Sequence, residues 1–494
     1  MTAPGNVNGE APIVAIVGGG CAGTLVAANL LRRSGRPLRI VIVERSGCFG
    51  AGVAYSTQDP RHLLNVRAER MSAFADAPSD FAEWAARRLG AIEPASYLPR
   101  GIYGEYLRSV LASCRAQASR DRTLELITGE VTALRRRSAR IELSLAAASP
   151  ILCDAVVLAS GPPEGAPLEQ VPQDPRVVAT PWAPGALAAS ASKGLTLVLG
   201  SGLSGVDVML SLGRGRGRLL ALSRSGQLPR VQLAGLRTPA PAPAPVPAQV
   251  TLNELERTLG EHARRMRAEG YDWRDVLDGL RPLTPRLWAA LGSAQQRRFL
   301  RYRRRAWEIR RHRMAPASGA RLAELIGGGR ARLHAGRVLS ARALAGGIDV
   351  DVVPARSQLV RTLRCQRVVI CTGAGLDIRR SRNPLLVSLL ESGVASADQL
   401  ALGLRTDSDG ALIDAHGRAD GRLLTLGALR RGELWETTAV EEIRAQAEHL
   451  VRPIERALGG SVGESPPRSS PPRQPADATS RPLAASGLGT PFSA

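Results

Sequence analysis

Short continuous apolar runs recur along this chain of 494 residues. They are IVAIV at 13–17, LRIVIV at 38–43, DAVVLAS at 154–160, LTLVLG at 195–200, LLALS at 219–223, RVVICT at 367–372 and RLLTLG at 422–427. Runs without polar alternation predict strands of parallel sheets covered on both faces. Between Thr251 and Met314 the period changes. Trp273, Leu277, Leu280, Leu287, Trp288, Leu291, Phe299 and Trp307 recur at helical spacing, which predicts a helical insertion over 251–315. The stretch TPAPAPAPVPA, Thr238 to Ala248, predicts an extended, semi-rigid linker before it. The polar residues 1–11 and the Gly-, Ser- and Pro-rich residues 456–494 carry too little apolar surface to order themselves, so both ends are expected to be flexible.

Two of the apolar runs lead straight into glycine-rich turns. IVAIV is followed by Gly18-Gly19-Gly20-Cys21-Ala22-Gly23 and then the helix-forming TLVAANLLRRSG. In a strand–GxGxxG–helix unit the first glycine permits a tight turn. The second lets backbone approach a pyrophosphate, and the third lets helix pack on strand, with amide donors at the helix N-terminus. Glu44 ends the next strand, where a carboxylate can accept from ribose hydroxyls. The pattern repeats at Gly200, Gly202 and Gly205 before VDVMLSL. There the following strand ends in Ser223-Arg224 with no acid, and an arginine in that place can meet a 2′-phosphate. Two such fingerprints predict two dinucleotide sites, FAD at the first and NADH or NADPH at the second.

Composition narrows the class. The formal charge is +22, yet Lys193 is the only lysine and the arginines are scattered through every segment. That distribution argues for a compositional bias rather than a nucleic-acid surface, although a positive field would draw in anionic ligands. The cysteines Cys21, Cys48, Cys114, Cys153, Cys365 and Cys371 form no CxxC pair and no metal cluster with the histidines, so no metal and no thiol-exchange chemistry are expected. The start of the chain has no signal-peptide pattern and no stretch is apolar enough to span a membrane, which predicts a cytoplasmic protein without a membrane partner.

Ala159-Ser160-Gly161 and Cys371-Thr372-Gly373 resemble the small-residue turns that carry the chain between nucleotide domains in flavoprotein reductases and monooxygenases, which makes Gly161 and Gly373 cofactor-binding candidates. Longer segments, FGAGVAYSTQDPRHLLNVRAERMSAFADAPSDFAEW (49–84), LSRSGQLPR (222–230), DWRDVLDGLRP with LWAAL and RRFLRYRRRAWEIRRHRMAP (272–316), and GALRRGELWETTAVEEIRAQAEHL (427–450), resemble a bacterial family of FAD/NAD(P)-binding proteins, one of whose members is a flavoprotein urate hydroxylase. The resemblance implies an α/β fold with two Rossmann-like domains of the flavoprotein reductase/monooxygenase type. The FAD domain would comprise 12–165 and 341–455, with an NAD(P) domain at 180–340 inserted in it. It further implies a monooxygenase of purine metabolism that uses NAD(P)H and O2 to hydroxylate urate, an anionic heterocycle, to 5-hydroxyisourate. Amine N-hydroxylation and plain flavin reduction remain open alternatives.

In that family pattern Gly427 ends the last FAD-domain strand. Trp435-Glu436-Thr437-Thr438 opens a helix whose N-terminus can stabilise charge on reduced flavin, placing Thr437 at the cofactor. Asn65, in the loop after the ribose-binding acid, is a candidate for a hydrogen bond to flavin or substrate, or a turn residue. The segment with Trp273, Arg274, Trp307, His312 and Arg313 either closes over the site, its arginines meeting an anion, or is a surface helix with a tryptophan-anchored core. His312 and Trp435 are the remaining catalytic candidates.

Overall fold

The computed structural model describes residues 11–459 except 139, 166–167, 184 and 189–193. The expectations for residues 1–10 and 460–494 lie outside the described residues. Each apolar run forms the strand expected of it, and the strands assemble into two sheets, each built round one glycine-rich turn.

In the first sheet Ile13–Val17 lies between Leu38–Glu44 and Ala155–Leu158, all parallel, with Arg122–Thr128 and Ala419–Thr425 outside them. The antiparallel Ala411–Ile413 closes one edge. Alternate residues of the central strand enter different cores. Val14 and Ile16 pack with Leu25, Leu30, Tyr103 and Leu107 of the helices Cys21–Arg33 and Arg100–Gln117. Ala15 and Val17 pack with Leu134, Ile141 and Leu143 of an antiparallel meander over 131–153 and with Leu385 and Leu389. Burial on both faces is why this strand shows no polar alternation.

The second sheet repeats the plan. Leu195–Leu199 lies between Arg218–Ser223 and Arg367–Ile370. The helices Leu203–Leu212 and Pro316–Gly327 cover one face, and Ile348, Val350 and Val352 of an antiparallel extension pack on Leu197 and Leu199 on the other. The meanders were not legible as strands in the sequence, because only one side of each meets a core and their outer positions are arginine-rich. The domain boundary expected at 341 also moves. The strand Ala331–Leu344 runs through that position, and Arg361–Cys365 and Arg367–Ile370 still belong to the second sheet. The chain therefore returns to the first unit only after Cys371.

The two crossings lie side by side: the Gly375 amide donates to the Pro163 carbonyl at 2.9 Å, and a Cβ at Gly165 would overlap the Gly373 carbonyl oxygen. The Pro-rich segment is extended but not free, since Ala240 is buried against Met266 and Val276 and its amide donates to the Asp275 carbonyl. Five helices follow, from Leu252–Ala268 to Arg304–Arg311. Capping boxes, Thr251 with Glu254 and Asp272 with Asp275, start the first two by satisfying amides that have no intrahelical acceptor.

Candidate active site

The first fingerprint is assembled as its spacing requires. Gly18 takes φ +107° with its Cα against the Ala159 carbonyl, and a Cβ on Gly23 would overlap the Gly18 carbonyl oxygen. The Glu44 carboxylate accepts the Gly19 N–H at 2.8 Å and the Ser46 hydroxyl at 2.7 Å, which fixes it at the strand end beside the turn. Gly161, at φ +76°, has nothing within 4 Å of where a side chain would begin, so backbone conformation rather than crowding requires glycine there.

The second fingerprint reproduces these relations. Gly200, at φ +118°, abuts the Cys371 carbonyl, and a Cβ on Gly205 would overlap the Gly200 carbonyl. Gly373 takes φ +87° with open space around it, as Gly161 does. Gly202 opens the helix Leu203–Leu212 with no atom within 4 Å of its Cβ position, leaving the backbone open to an approaching phosphate. Both cradles thus fit a dinucleotide.

The helical insertion spans the two units. Its last helix, Arg304–Arg311, touches the second fingerprint through Arg305, whose Nη2 donates to Ser201 Oγ at 3.2 Å. The same helix reaches the C-terminal part of the first unit. Trp307 Nε1 donates to Glu436 Oε1 at 2.7 Å, Arg311 lies 3.6 Å from the Glu436 carboxylate, and His312 Nε2 lies 4.0 Å from it. Burial, with help from Arg311 and Arg431, holds His312 below its ordinary value against the pull of Glu436. Of the candidates His312 and Trp435, the fold sets His312 against Glu436, the residue after Trp435, and adds Arg311, 125 positions from Glu436 by number.

Trp435 carries a left-handed backbone, φ +60°, uncommon for a bulky side chain. Its ring stacks on Trp288 at 4.9 Å and meets Phe299 edge-on at 5.3 Å, while its buried indole N–H has no partner. An orphaned buried donor costs on the order of 1–3 kcal/mol, so Trp435 combines a strained backbone with an unsatisfied indole. One expectation is corrected here: the helix opens at Val440, not at Trp435, and residues 435–439 form the loop before it. Within that loop Thr437 is fully buried; its hydroxyl donates to the Gly427 carbonyl at 3.1 Å and accepts from Gln446 at 2.8 Å. Gly427, at φ +69°, follows the strand Ala419–Thr425 rather than ending it.

Other expectations separate. Asn65 lies half-buried in the loop after Glu44. Arg274 and Arg313 are not free to meet an anion: Arg274 donates to the Val231 carbonyl at 2.8 Å and pairs with Asp272. Arg313 is buried against Asp278, with its guanidinium 5.8 Å from the Trp273 ring centroid. The tryptophan-anchored reading of the insertion agrees with the packing, since Trp288, Trp307 and Phe299 form a core whose other wall is Trp435.

A buried polar network that spacing gave no sign of joins the units. Asp59 pairs with Arg61 and accepts from Ser211 at 2.6 Å, His62 contacts Ser211 at 2.8 Å, and Arg100 pairs with Asp207 at 2.5 Å. Burial pushes His62 down to about 4 and Asp207 up to about 7. The signs oppose each other. The folded imidazole refuses a proton that the unfolded chain takes up, so its contribution is complete above the ordinary histidine range and is lost as pH falls toward 4. The folded Asp207 carboxyl instead costs stability as pH rises from 4 toward 7. His62→Gln should therefore gain stability relative to the unmodified protein as pH falls from 6.5 to 4, by about 2 kcal/mol, in urea denaturation. A pH-independent difference would exclude this account.

Comparison with known proteins agrees with the geometry. Residues 15–163 match the model of a family described as FAD-NAD(P)-binding. No curated protein matches the sequence. Among solved structures, ornithine hydroxylase of Pseudomonas aeruginosa is similar at TM-score 0.58 and 16% identity, covering 91% of this chain and 100% of that one. L-lysine 6-monooxygenase of Pseudomonas syringae gives 0.59 and 18%, with 90% and 99% covered. The FAD-bound cadaverine monooxygenase of Erwinia amylovora gives 0.54 and 14%, with 94% and 99% covered. These likenesses show the α/β fold of paired Rossmann-like units. FAD and a nicotinamide dinucleotide are this protein's cofactors. None of the three named proteins acts on urate, so that expectation gains no support. Among the described residues no group of His, Cys, Asp and Glu could hold a metal ion, and no helix is long and apolar enough to cross a membrane.

Proposed function

We propose that the protein is an NAD(P)H-dependent flavin monooxygenase that hydroxylates the nitrogen of a small amine. The observation that carries this reading is the cluster His312–Glu436–Arg311–Trp435, set where the insertion joins the nucleotide-binding units. The amine assignment leans on the three similar structures, whose named activities are on ornithine, lysine and cadaverine.

Reduced FAD supplies the oxygen chemistry when bound; the protein's residues bind, orient and handle protons. An amine attacks oxygen only as the free base, and a histidine held below its ordinary value is unprotonated at neutral pH and can take the ammonium proton at its ring. Glu436 stabilises the imidazolium that results, while the Trp307 hydrogen bond and the nearby Arg311 hold that carboxylate in place. With flavin bound, the packed Trp288, Trp435 and Phe299 rings would help keep water out of the site. The Asn65 amide orients flavin or substrate.

The test is oxygen uptake by FAD-loaded protein with NADPH or NADH across ornithine, lysine, cadaverine and urate, with hydroxylamine, urate loss and peroxide followed separately. Hydroxylamine in step with NAD(P)H oxidation is expected from one amine. Consumption of urate alone would replace amine by urate as the substrate, and peroxide alone with every compound would overturn the monooxygenase assignment. His312→Gln should lower kcat with the amine by about 10²–10⁴-fold while flavin reduction proceeds, and the loss should shrink as pH rises toward the amine's own pKa.

A further inference from the structure

The glycine-rich turns are alike, but their surroundings carry opposite charge. At the first, the neighbouring strand ends in Glu44, which repels a phosphate on the ribose. At the second, the corresponding strand Arg218–Ser223 ends beside Arg224, which is exposed and has no carboxylate within ion-pair distance among the described residues. Arg304 and Arg305 of the insertion face the same place. The Arg305 Nε donates to Ser225 Oγ at 3.2 Å, and its Nη2 donates to Ser201 Oγ at 3.2 Å and to the Gln227 carbonyl. Ser201 in turn donates to Ser223 at 2.7 Å. All of these partners are neutral, so the hydrogen bonds hold the guanidinium in place without cancelling its charge. Arg304 has one carboxylate, Glu308 at 3.5 Å, which it shares with Arg431 at 3.3 Å.

We infer that Arg224, Arg304 and Arg305 form a clamp for the 2′-phosphate of NADPH, so that the helical insertion, and not the Rossmann unit alone, selects the nicotinamide cofactor. The inference rests on the second fingerprint taking a nicotinamide dinucleotide. Guanidiniums gathered round one turn with a single shared carboxylate repel one another until an anion enters. Burial and the like charge of Arg224 both hold Arg304 and Arg305 below the ordinary arginine value. A phosphate accepts forked hydrogen bonds from guanidinium, and the Ser225 hydroxyl, which accepts from Arg305, keeps its own proton to donate. Because Arg305 and the residues around Glu436 share one helix, the clamp also ties seating of the cofactor to the position of His312.

The test is direct binding to FAD-loaded protein by calorimetry, with 2′,5′-ADP and 5′-AMP as probes, alongside KM for NADPH and NADH. Arg305→Ala is expected to weaken 2′,5′-ADP and raise KM for NADPH by about ten- to a hundredfold while leaving 5′-AMP and NADH unchanged. Arg224 is exposed, so Arg224→Ala tests the same site without threatening the fold and should show the same selectivity. Equal weakening of phosphorylated and unphosphorylated probes, or no loss for either, would overturn the clamp. These binding results are independent of substrate: a protein that binds 2′,5′-ADP selectively but oxygenates no amine would refute the proposed reaction and leave the clamp standing.

Discussion

Gly23→Val is expected to yield protein that no longer retains FAD. The added Cβ would collide with the Gly18 carbonyl oxygen in the first turn and press on Ile16 of the strand that enters it. Backbone cannot yield there, because Gly18 is itself held by its N–H donating to the Val43 carbonyl at 2.8 Å and by the close approach of Ala159. The purified variant should be colourless, with a flavin-to-protein ratio at least about tenfold below the unmodified protein. The informative contrast is Gly202→Ala. Its Cβ meets nothing within 4 Å and its φ of −78° suits any residue, so the protein should fold and stay yellow. What it should lose is close approach of the nicotinamide dinucleotide, seen as slower flavin reduction by NAD(P)H. Flavin retained by Gly23→Val, or unchanged reduction in Gly202→Ala, would show that the turn in question is not a phosphate cradle.

The second large effect is expected at Arg281, which docks the insertion onto the first unit. Its guanidinium donates to the two Glu442 oxygens at 2.6 and 2.8 Å and pairs with Glu441, which also accepts from Arg70 at 2.7 Å. Arg281→Met would leave the Glu442 charge largely buried, with only Arg311 at 3.6 Å for compensation, at a cost of about 3–5 kcal/mol. The pH dependence gives a check on mechanism. Despite burial, Arg281 and Arg311 hold the Glu442 carboxyl below its ordinary value, so its stabilisation is present above the ordinary carboxylate range and is lost as pH falls through the lower folded value. The difference between the variant and the unmodified protein, measured by urea denaturation, should therefore be largest near pH 7 and shrink in acid. A constant difference would assign the effect to lost packing of the arginine stem instead.

Of the fold, the parallel strands and both turns were legible because each is a local pattern: an unbroken apolar run, or glycines at fixed offsets followed by a helix. The place of Glu44 followed from the same spacing. The antiparallel strands were not legible, nor was the true return point after Cys371, because pairing partners such as Val352 and Arg361 are chosen by what the sheet needs covered and not by neighbours in sequence. The resemblance supplied urate, and the amine is our proposal in its place. Residue pattern in the helical insertion could not decide between them, for a run of arginines looks the same whether it faces solvent, a carboxylate or a phosphate.

The candidate site divides along the same line. Gly18, Gly20, Gly23, Gly200, Gly202 and Gly205 needed only the sequence, since backbone geometry at a turn is a local property. That Arg313 is spent on Asp278, that Arg305 stands over Ser201, and that His312 faces Glu436 were decided by tertiary structure alone. A charged side chain acquires its role from the dielectric and the counter-charges around it, and those come from segments distant in sequence: Asp278 is 35 positions from Arg313, Ser201 is 104 from Arg305 and Glu436 is 124 from His312.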